Sequence, residues 1–189
     1  MPLENEKNEL RKSFLMMRRA LSMESVEARS FKIQQKLRAL RVFQKARVLM
    51  FYVPINHEAD LLQLARDSMI AGKKVCFPVV RNGGIMATEV RDFLHDFRPG
   101  AFGIPEPQGP VYKGAIDLVM VPGLVFGKNR HRIGYGKGYY DRFLSGMNIG
   151  FTLGTGYDFQ LISAVPALEY DVELGGIVTE NETIIEEEN

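Results

Sequence analysis

At 189 residues, 46% hydrophobic and 25% charged, the chain has the make-up of a soluble globular domain with one core. A net charge of +1 excludes a broadly basic nucleic-acid or membrane-surface binder. One cysteine, Cys76, excludes an internal disulfide and a cysteine-built metal site; set in Val75-Cys76-Phe77, it is expected to be a buried thiol. No apolar run reaches the ~18 residues of a membrane span. The opening Met1-Pro2-Leu3-Glu4-Asn5-Glu6 lacks the cationic start of a secretory signal, so a cytoplasmic location is expected.

Residues 4–21 are predicted to form a helix, with Leu10, Phe14, Met17 and Leu21 at helical spacing and Glu4 and Glu6 at its positive end. Ser22 is placed to cap a second helix carrying Val26, Ile33, Leu37 and Leu40. Arg47 to Val53 follows as a strand stopped by Pro54, then a helix from Ala59 to Ala71 closed by Gly72. Strands at Val75–Val80 and Ile85–Val90 flank an Asn82-Gly83-Gly84 turn. From Arg98 to Gly114 four prolines and four glycines predict an ordered loop rather than a helix. Asp117 to Phe126 is nearly all apolar, as a strand buried on both faces should be. A short helix at Gly138–Ser145, strands at Ile149–Gly154 and Ile177–Thr179, and an acidic tail, Glu186-Glu187-Glu188, complete the chain. Strands separated by helices predict a three-layer α/β/α fold with a mostly parallel central sheet, as a single domain over residues 1–189.

The stretch that carries chemistry runs from Phe126 to Leu144. It sets Gly134, Gly136 and Gly138 at alternate positions among Lys128, Arg130, Arg132, Lys137 and Arg142, with Asp141 as the single acid. Glycines let a backbone turn its N–H groups toward an anion, and the cations neutralise that anion. The dinucleotide fingerprint fails because Tyr139 stands where its third glycine belongs, and a Walker loop fails because Gly138 follows Lys137. What remains is a strand, a basic glycine loop and a helix start, a topology suited to polyphosphate. A solvated surface loop is the bland alternative, and the buried strand before it argues against that. Of Tyr139 and Tyr140, one ring is expected on the sheet and the other toward the ligand. Asp141 could pair with Arg142 or take part in holding Mg²⁺.

Lys7, Arg11 and Arg18 fall on one helical face, which is either a solvated face or a second basic element of the site. Glu58, just after a strand end, is either a partner of a helix dipole or a carboxylate able to accept paired N–H donors from an amino-pyrimidine ring.

Taken together, these residues resemble the 5-formyltetrahydrofolate cyclo-ligase family. The resemblance is carried by Val121-Pro122-Gly123-Leu124-Val125-Phe126 and by Arg132-Ile133-Gly134-Tyr135-Gly136-Lys137-Gly138-Tyr139-Tyr140-Asp141-Arg142. Support comes from Lys7 with Arg11, the Glu58 segment, Phe102-Gly103-Ile104-Pro105-Glu106-Pro107 and Ile177-Val178-Thr179-Glu180. The resemblance implies ATP- and Mg²⁺-dependent closure of 5-formyltetrahydrofolate to 5,10-methenyltetrahydrofolate by a cytoplasmic monomer, with these two small molecules as partners and neither nucleic acid nor membrane. It implies ATP contacts from Lys7, Asn8, Glu9, Leu10, Arg11, Arg132, Ile133, Gly134, Tyr135, Gly136, Lys137, Gly138, Tyr139 and Tyr140. Lys137 and Arg132 would act on the γ-phosphate. Folate would be met by Val53, Glu58 and the Tyr135–Tyr139 loop, and Mg²⁺ by Asp141 and Asp171. The chain departs from many relatives at Gly127 and Gly175, where an Asp is common, and at His131, where a glycine is. Two other readings differ in class: a non-catalytic nucleotide-, folate- or RNA-binding member of the fold, and an unrelated small-molecule kinase.

Overall fold

The computed structural model describes residues 2–100 and 105–185. Of the segments singled out above, Phe102-Gly103-Ile104 and the acidic tail lie outside the described residues. The helices are α1 (Pro2–Arg19), α2 (Met23–Ala39), α3 (Arg41–Lys45), α4 (Leu62–Ile70) and α5 (Tyr139–Gly146). The main sheet is built from β1 (Val48–Met50), β2 (Lys74–Arg81), β3 (Gly84–Val90), β6 (Ile116–Pro122), β9 (Ile149–Thr155), β11 (Gly176–Val178) and β12 (Thr183–Ile185). Their order is β12-β11-β9-β6-β1-β2-β3, with parallel pairing throughout except at the two edges. Two small sheets flank it, one pairing β4 (Phe97–Pro99) with β5 (Pro105–Pro107) and one ordering β10 (Leu161–Ile162), β7 (Val125–Gly127) and β8 (Arg132–Ile133).

Helices cover both faces, because successive side chains of a strand point to opposite sides. Leu49, Phe51, Val75, Phe77, Leu118 and Met120 join the core under α2 and α4, whereas Met50, Cys76, Val119 and Val121 join the core that includes Phe143 and Leu144 of α5. That is the three-layer arrangement expected from the strand composition. Cys76 is fully buried, and burial pushes its thiol up to about 12, so it serves as a packing group.

Local signals act as their chemistry predicts. The Ser22 hydroxyl accepts the Ser25 N–H at 3.2 Å and starts α2. Gly72 takes a φ of +82° and closes α4 with the paired bonds Gly72 N to Met69 O and Lys73 N to Ser68 O. Asn82 and Gly83, both at positive φ, make the tight turn between β2 and β3.

Three expectations need correction. The apolar run Asp117–Phe126 is not one strand: β6 stops at Pro122, and β7 belongs to another sheet. Proline cannot donate to a ladder, and beyond it the Gly123 carbonyl accepts from Arg18 and Gln160 side chains instead. The Arg98–Gly114 loop holds β5, paired with β4. The stripe on α1 is part wrong, since Met17 is 44% exposed while the cations Lys7 and Arg18 are buried.

Phe126 locks the end of the sheet. Its ring lies so close to Gly123, Gly154 and Gly156 that a Cβ on any of them would come within 2.7 Å of it. Gly154→Ala, whose methyl would also meet Leu174 at 2.8 Å, is expected to cost about 1–3 kcal/mol. Urea denaturation checks this, and an unchanged midpoint would contradict the tight packing.

Candidate functional site

Strands β1 and β6 are hydrogen-bonded neighbours, yet the chain leaves β1 toward β2 on one side and β6 toward β9 on the other. Open α/β sheets bind ligands at such a parting of strands, outside the carboxyl ends. Here that place is a cleft of about 600 Å³, lined by Tyr52 and Val53 after β1, Pro122 and Gly123 at the end of β6, α1, the glycine loop and the start of α5. A second hollow of about 240 Å³, between α5 and the start of β9, includes Glu173 as its one charged residue.

One wall of the cleft is cationic. Lys7 and Arg11, one turn apart on α1, both line it, with Arg132 and Lys137 from the glycine loop. Asn8, Glu9 and Leu10 do not, because a helix turns about 100° per residue and presents one side only. Asn8 accepts a 2.6 Å bond from Arg11, Glu9 pairs with Lys12 at 3.0 Å, and Leu10 packs under β7 and β8. Arg11 also donates to the Gly134 carbonyl at 3.1 Å, which ties the helix to the loop. Gly136 and Gly138 hold φ of +91° and +61°, and a Cβ on Gly136 would sit 3.3 Å from the Arg11 guanidinium. Only glycine suits that loop.

Two buried polar atoms beside the loop, Arg132 Nε and the Tyr140 hydroxyl, have no hydrogen-bond partner among the described residues. Buried donors are normally satisfied, so these two stand out as unmet hydrogen-bonding capacity in residues that line the cleft. Tyr140 packs against the core beneath α5, and Tyr139 lies between the cations Lys137 and Arg142 at 5.8 and 5.4 Å. Both tyrosines line the cleft.

At the other end stands Glu58, 5% exposed. It closes a turn in which the Ile55 N–H donates to Glu58 Oε2 and the Glu58 N–H to the Ile55 carbonyl, both at 3.0 Å. Asn56 and His57 inside that turn sit at φ of 48° and 59°, a region costing about 1–3 kcal/mol per non-glycine residue. Arg18 stands 3.5 Å from Glu58 Oε1. Burial pushes Glu58 up to about 7, against the opposing pull of Arg18 and the Ile55 N–H. Tyr52, held by Ala59 at 2.8 Å and Thr155 at 3.0 Å, is pushed well above the usual phenol range, first by burial and then by Glu58.

The two carboxylates expected to serve a metal both line the cleft. Asp141 pairs with Arg132 at 3.0 Å; Arg142, its neighbour in sequence, instead donates to the carbonyls of Lys137 and Gly83. Asp171 is ion-paired to buried Lys7 and accepts the Leu168 N–H at 2.8 Å. These contacts fall on Oδ1 of Asp141 and Oδ2 of Asp171. Among the described residues no group of three His, Cys, Asp or Glu could cage a metal. A hard cation that takes one or two carboxylates and fills its shell with phosphate oxygens and water fits such a pair.

The departures have local causes. A Cβ at Gly127 would lie 2.5 Å from the Val165 nitrogen, and one at Gly175 would strike the Phe151 ring at 2.7 Å, so neither position has room for a carboxylate. Glu173 pairs with Arg130, and the His131 Nδ1 is buried without a partner among the described residues.

Arg18, for which a solvated face and a site role stood open, lies 3.5 Å from Glu58, whereas Tyr52, Asn56, Pro78, Val80 and Ile85, which line the cleft, were not expected there. For Arg18 the signal was present in its shared face with Lys7 and Arg11. The other five carry no local signal.

The chain matches the model of the 5-formyltetrahydrofolate cyclo-ligase family over residues 3–180. A probable 5-formyltetrahydrofolate cyclo-ligase of Caenorhabditis elegans is 30% identical over 97% of both chains. A 5-formyltetrahydrofolate cyclo-ligase of Mycoplasma genitalium is 34% identical over 82% of this chain and 87% of its own. Among solved structures, the 5,10-methenyltetrahydrofolate synthetase of Aquifex aeolicus superposes with a TM-score of 0.84 at 33% identity, covering 95% of this chain and 92% of that one.

Glu58 gives a pH test. Its carboxyl is raised from 4.5 to about 7 on folding, so between those values the folded chain holds a proton that the unfolded chain has lost. Stability from this group is full below pH 4.5, falls as pH rises to about 7, and is flat above. Glu58→Gln removes the titration, and its melting temperature is expected to gain on the parent chain across that window. A constant difference at all pH values would contradict the shift.

Proposed function

We propose that this chain, which belongs to the 5-formyltetrahydrofolate cyclo-ligase family, uses ATP to close 5-formyltetrahydrofolate into 5,10-methenyltetrahydrofolate, releasing ADP and phosphate. The observation that carries the proposal is one cleft holding a glycine loop with four cations, Lys7, Arg11, Arg132 and Lys137, and a buried carboxylate, Glu58. A phosphate binder needs the first and an amino-pyrimidine binder the second; a reaction between the two ligands needs both in one space.

The chemistry explains why. The formyl group on N5 is an amide, and its oxygen cannot leave as oxide when N10 attacks the carbon. Transfer of the γ-phosphoryl group to that oxygen makes it a phosphate ester, releases ADP and leaves the carbon as an N5-iminium. N10 then adds to the carbon, loses its proton, and the carbon–oxygen bond breaks to release phosphate. Such a transfer is catalysed mostly by positioning and charge neutralisation. The chain would act as a single domain.

In this reading Glu58 accepts N–H donors of the pterin, with Val53 and the Tyr135–Tyr139 loop along the folate. Lys7, Arg11 and residues 132–140 hold the polyphosphate, and Lys137 and Arg132 carry the charge that develops on the transferring group. Asp141 and Asp171 would hold Mg²⁺, which when bound supplies positive charge to the phosphate oxygens.

Purified protein with 5-formyltetrahydrofolate, ATP and Mg²⁺ is expected to generate the near-ultraviolet absorbance of the methenyl product and equimolar ADP. A folded protein that makes neither would overturn the reading, and ADP with a stable phosphorylated folate would make it a kinase. Lys137→Ala should lower kcat by about 10²–10³-fold while folate affinity changes little. Equal losses in both would make Lys137 a substrate-binding group instead.

A further inference from the structure

Arg18 exposes none of its surface, although it is charged and lies on a helix that borders solvent. Its Nε donates to the Asn56 carbonyl at 2.9 Å, Nη1 to the Gly123 carbonyl at 2.8 Å, and Nη2 to the Tyr135 hydroxyl at 2.6 Å. The same Nη2 stands 3.5 Å from Glu58 Oε1. The acceptors come from three separate stretches: the turn after β1, the end of β6 and the glycine loop. The neighbouring Arg19 donates to the Asn56 side-chain oxygen at 3.0 and 3.3 Å, and Asn56 Nδ2 donates to the Tyr135 hydroxyl at 3.1 Å. The turn that presents Glu58 and the loop that carries Lys137 are thus tied to each other through α1.

An apolar side chain of similar volume often serves stability as well as a buried ion pair does. Joining acceptors on three stretches is a different task, one for a planar fork of five donors. We infer that Arg18 is a positioning residue for the reaction, fixing the spacing between Glu58 and the phosphate-facing loop and keeping Glu58 an ion-paired acceptor. The inference rests on the proposed function, because the spacing matters when one ligand must receive a group from the other. Misplacement by about 1 Å can cost such a transfer ~100-fold.

Arg18 from α1 pairs with Glu58, whose charge also acts on four phenols: Tyr52 after β1, Tyr135 of the glycine loop, Tyr140 of α5 and Tyr157 after β9. Burial pushes all four phenols above their usual range, so at neutral pH they are uncharged and Arg18 is the cation acting on Glu58. Removing the charge and removing the fork therefore have separable effects.

Three variants separate them: Arg18→Lys keeps the charge, Arg18→Met removes it, and Tyr135→Phe deletes a single acceptor. Each is assayed for kcat and both KM values, and calorimetry without ATP gives the pH midpoint of 5-formyltetrahydrofolate binding. Arg18→Lys should lose about 100-fold in kcat with the binding midpoint unmoved. Arg18→Met should lose as much and move the midpoint up by about one unit. Tyr135→Phe should lose about tenfold in kcat with its midpoint unmoved. Should both Arg18 variants fail to fold, Tyr135→Phe decides. Lys and Phe variants within twofold of the parent kcat, or a Met variant with an unmoved midpoint, overturn the inference and leave the function standing. A parent protein that forms no methenyl product overturns the function itself.

Discussion

The structure depends on how the backbone is satisfied where β1 and β6 part. Side by side in the sheet, they lose each other as partners beyond Met50 and Val119, and carbonyls in the segments that follow need donors from elsewhere. Gly123 and Leu124 accept from the Gln160 side chain, and Gly123 and Asn56 from Arg18. A buried carbonyl without a donor costs about 1–3 kcal/mol, so the donors are a condition of the parting. The residues whose carbonyls Arg18 holds, Asn56 and Gly123, line the cleft.

The two ends of the cleft solve opposite problems. Around Gly134–Gly138 the backbone is bare and the cations are many, so anionic charge entering there meets fixed positive charge. Around Glu58 a carboxylate is kept in a dry turn, with Arg18 opposing the effect of burial. Folding bears the strain of two left-handed residues, Asn56 and His57, to present that one group. The cost makes structural sense where a ligand supplies what the turn lacks.

Much of the architecture was legible because it rests on local chemistry. The strand Val75–Val80, the Asn82-Gly83 turn, the Ser22 cap and the Gly72 closure are decided by neighbours in sequence. The break at Pro122-Gly123 was hidden because both halves of the run are apolar, and composition does not tell one buried sheet from another. Spacing put Lys7 and Arg18 on one face of α1 without telling a wet face from a buried one; their partners Asp171 and Glu58 are 164 and 40 positions away. Asp141 illustrates the same limit on a short scale. Sequence proximity favoured Arg142, whereas the strand β8 brings Arg132 to it. The glycines of the loop were the firmest sign of the site, since the positive φ that Gly136 and Gly138 hold is one that glycine adopts without strain.

The central claim is that the formyl oxygen leaves as phosphate. The most direct measurement uses 5-formyltetrahydrofolate labelled with heavy oxygen in the formyl group, with ATP, Mg²⁺ and the purified protein, and reads the label by mass spectrometry. The account predicts one labelled oxygen in each phosphate released, in step with methenyl formation. Unlabelled phosphate, with the heavy oxygen recovered in water, would contradict it.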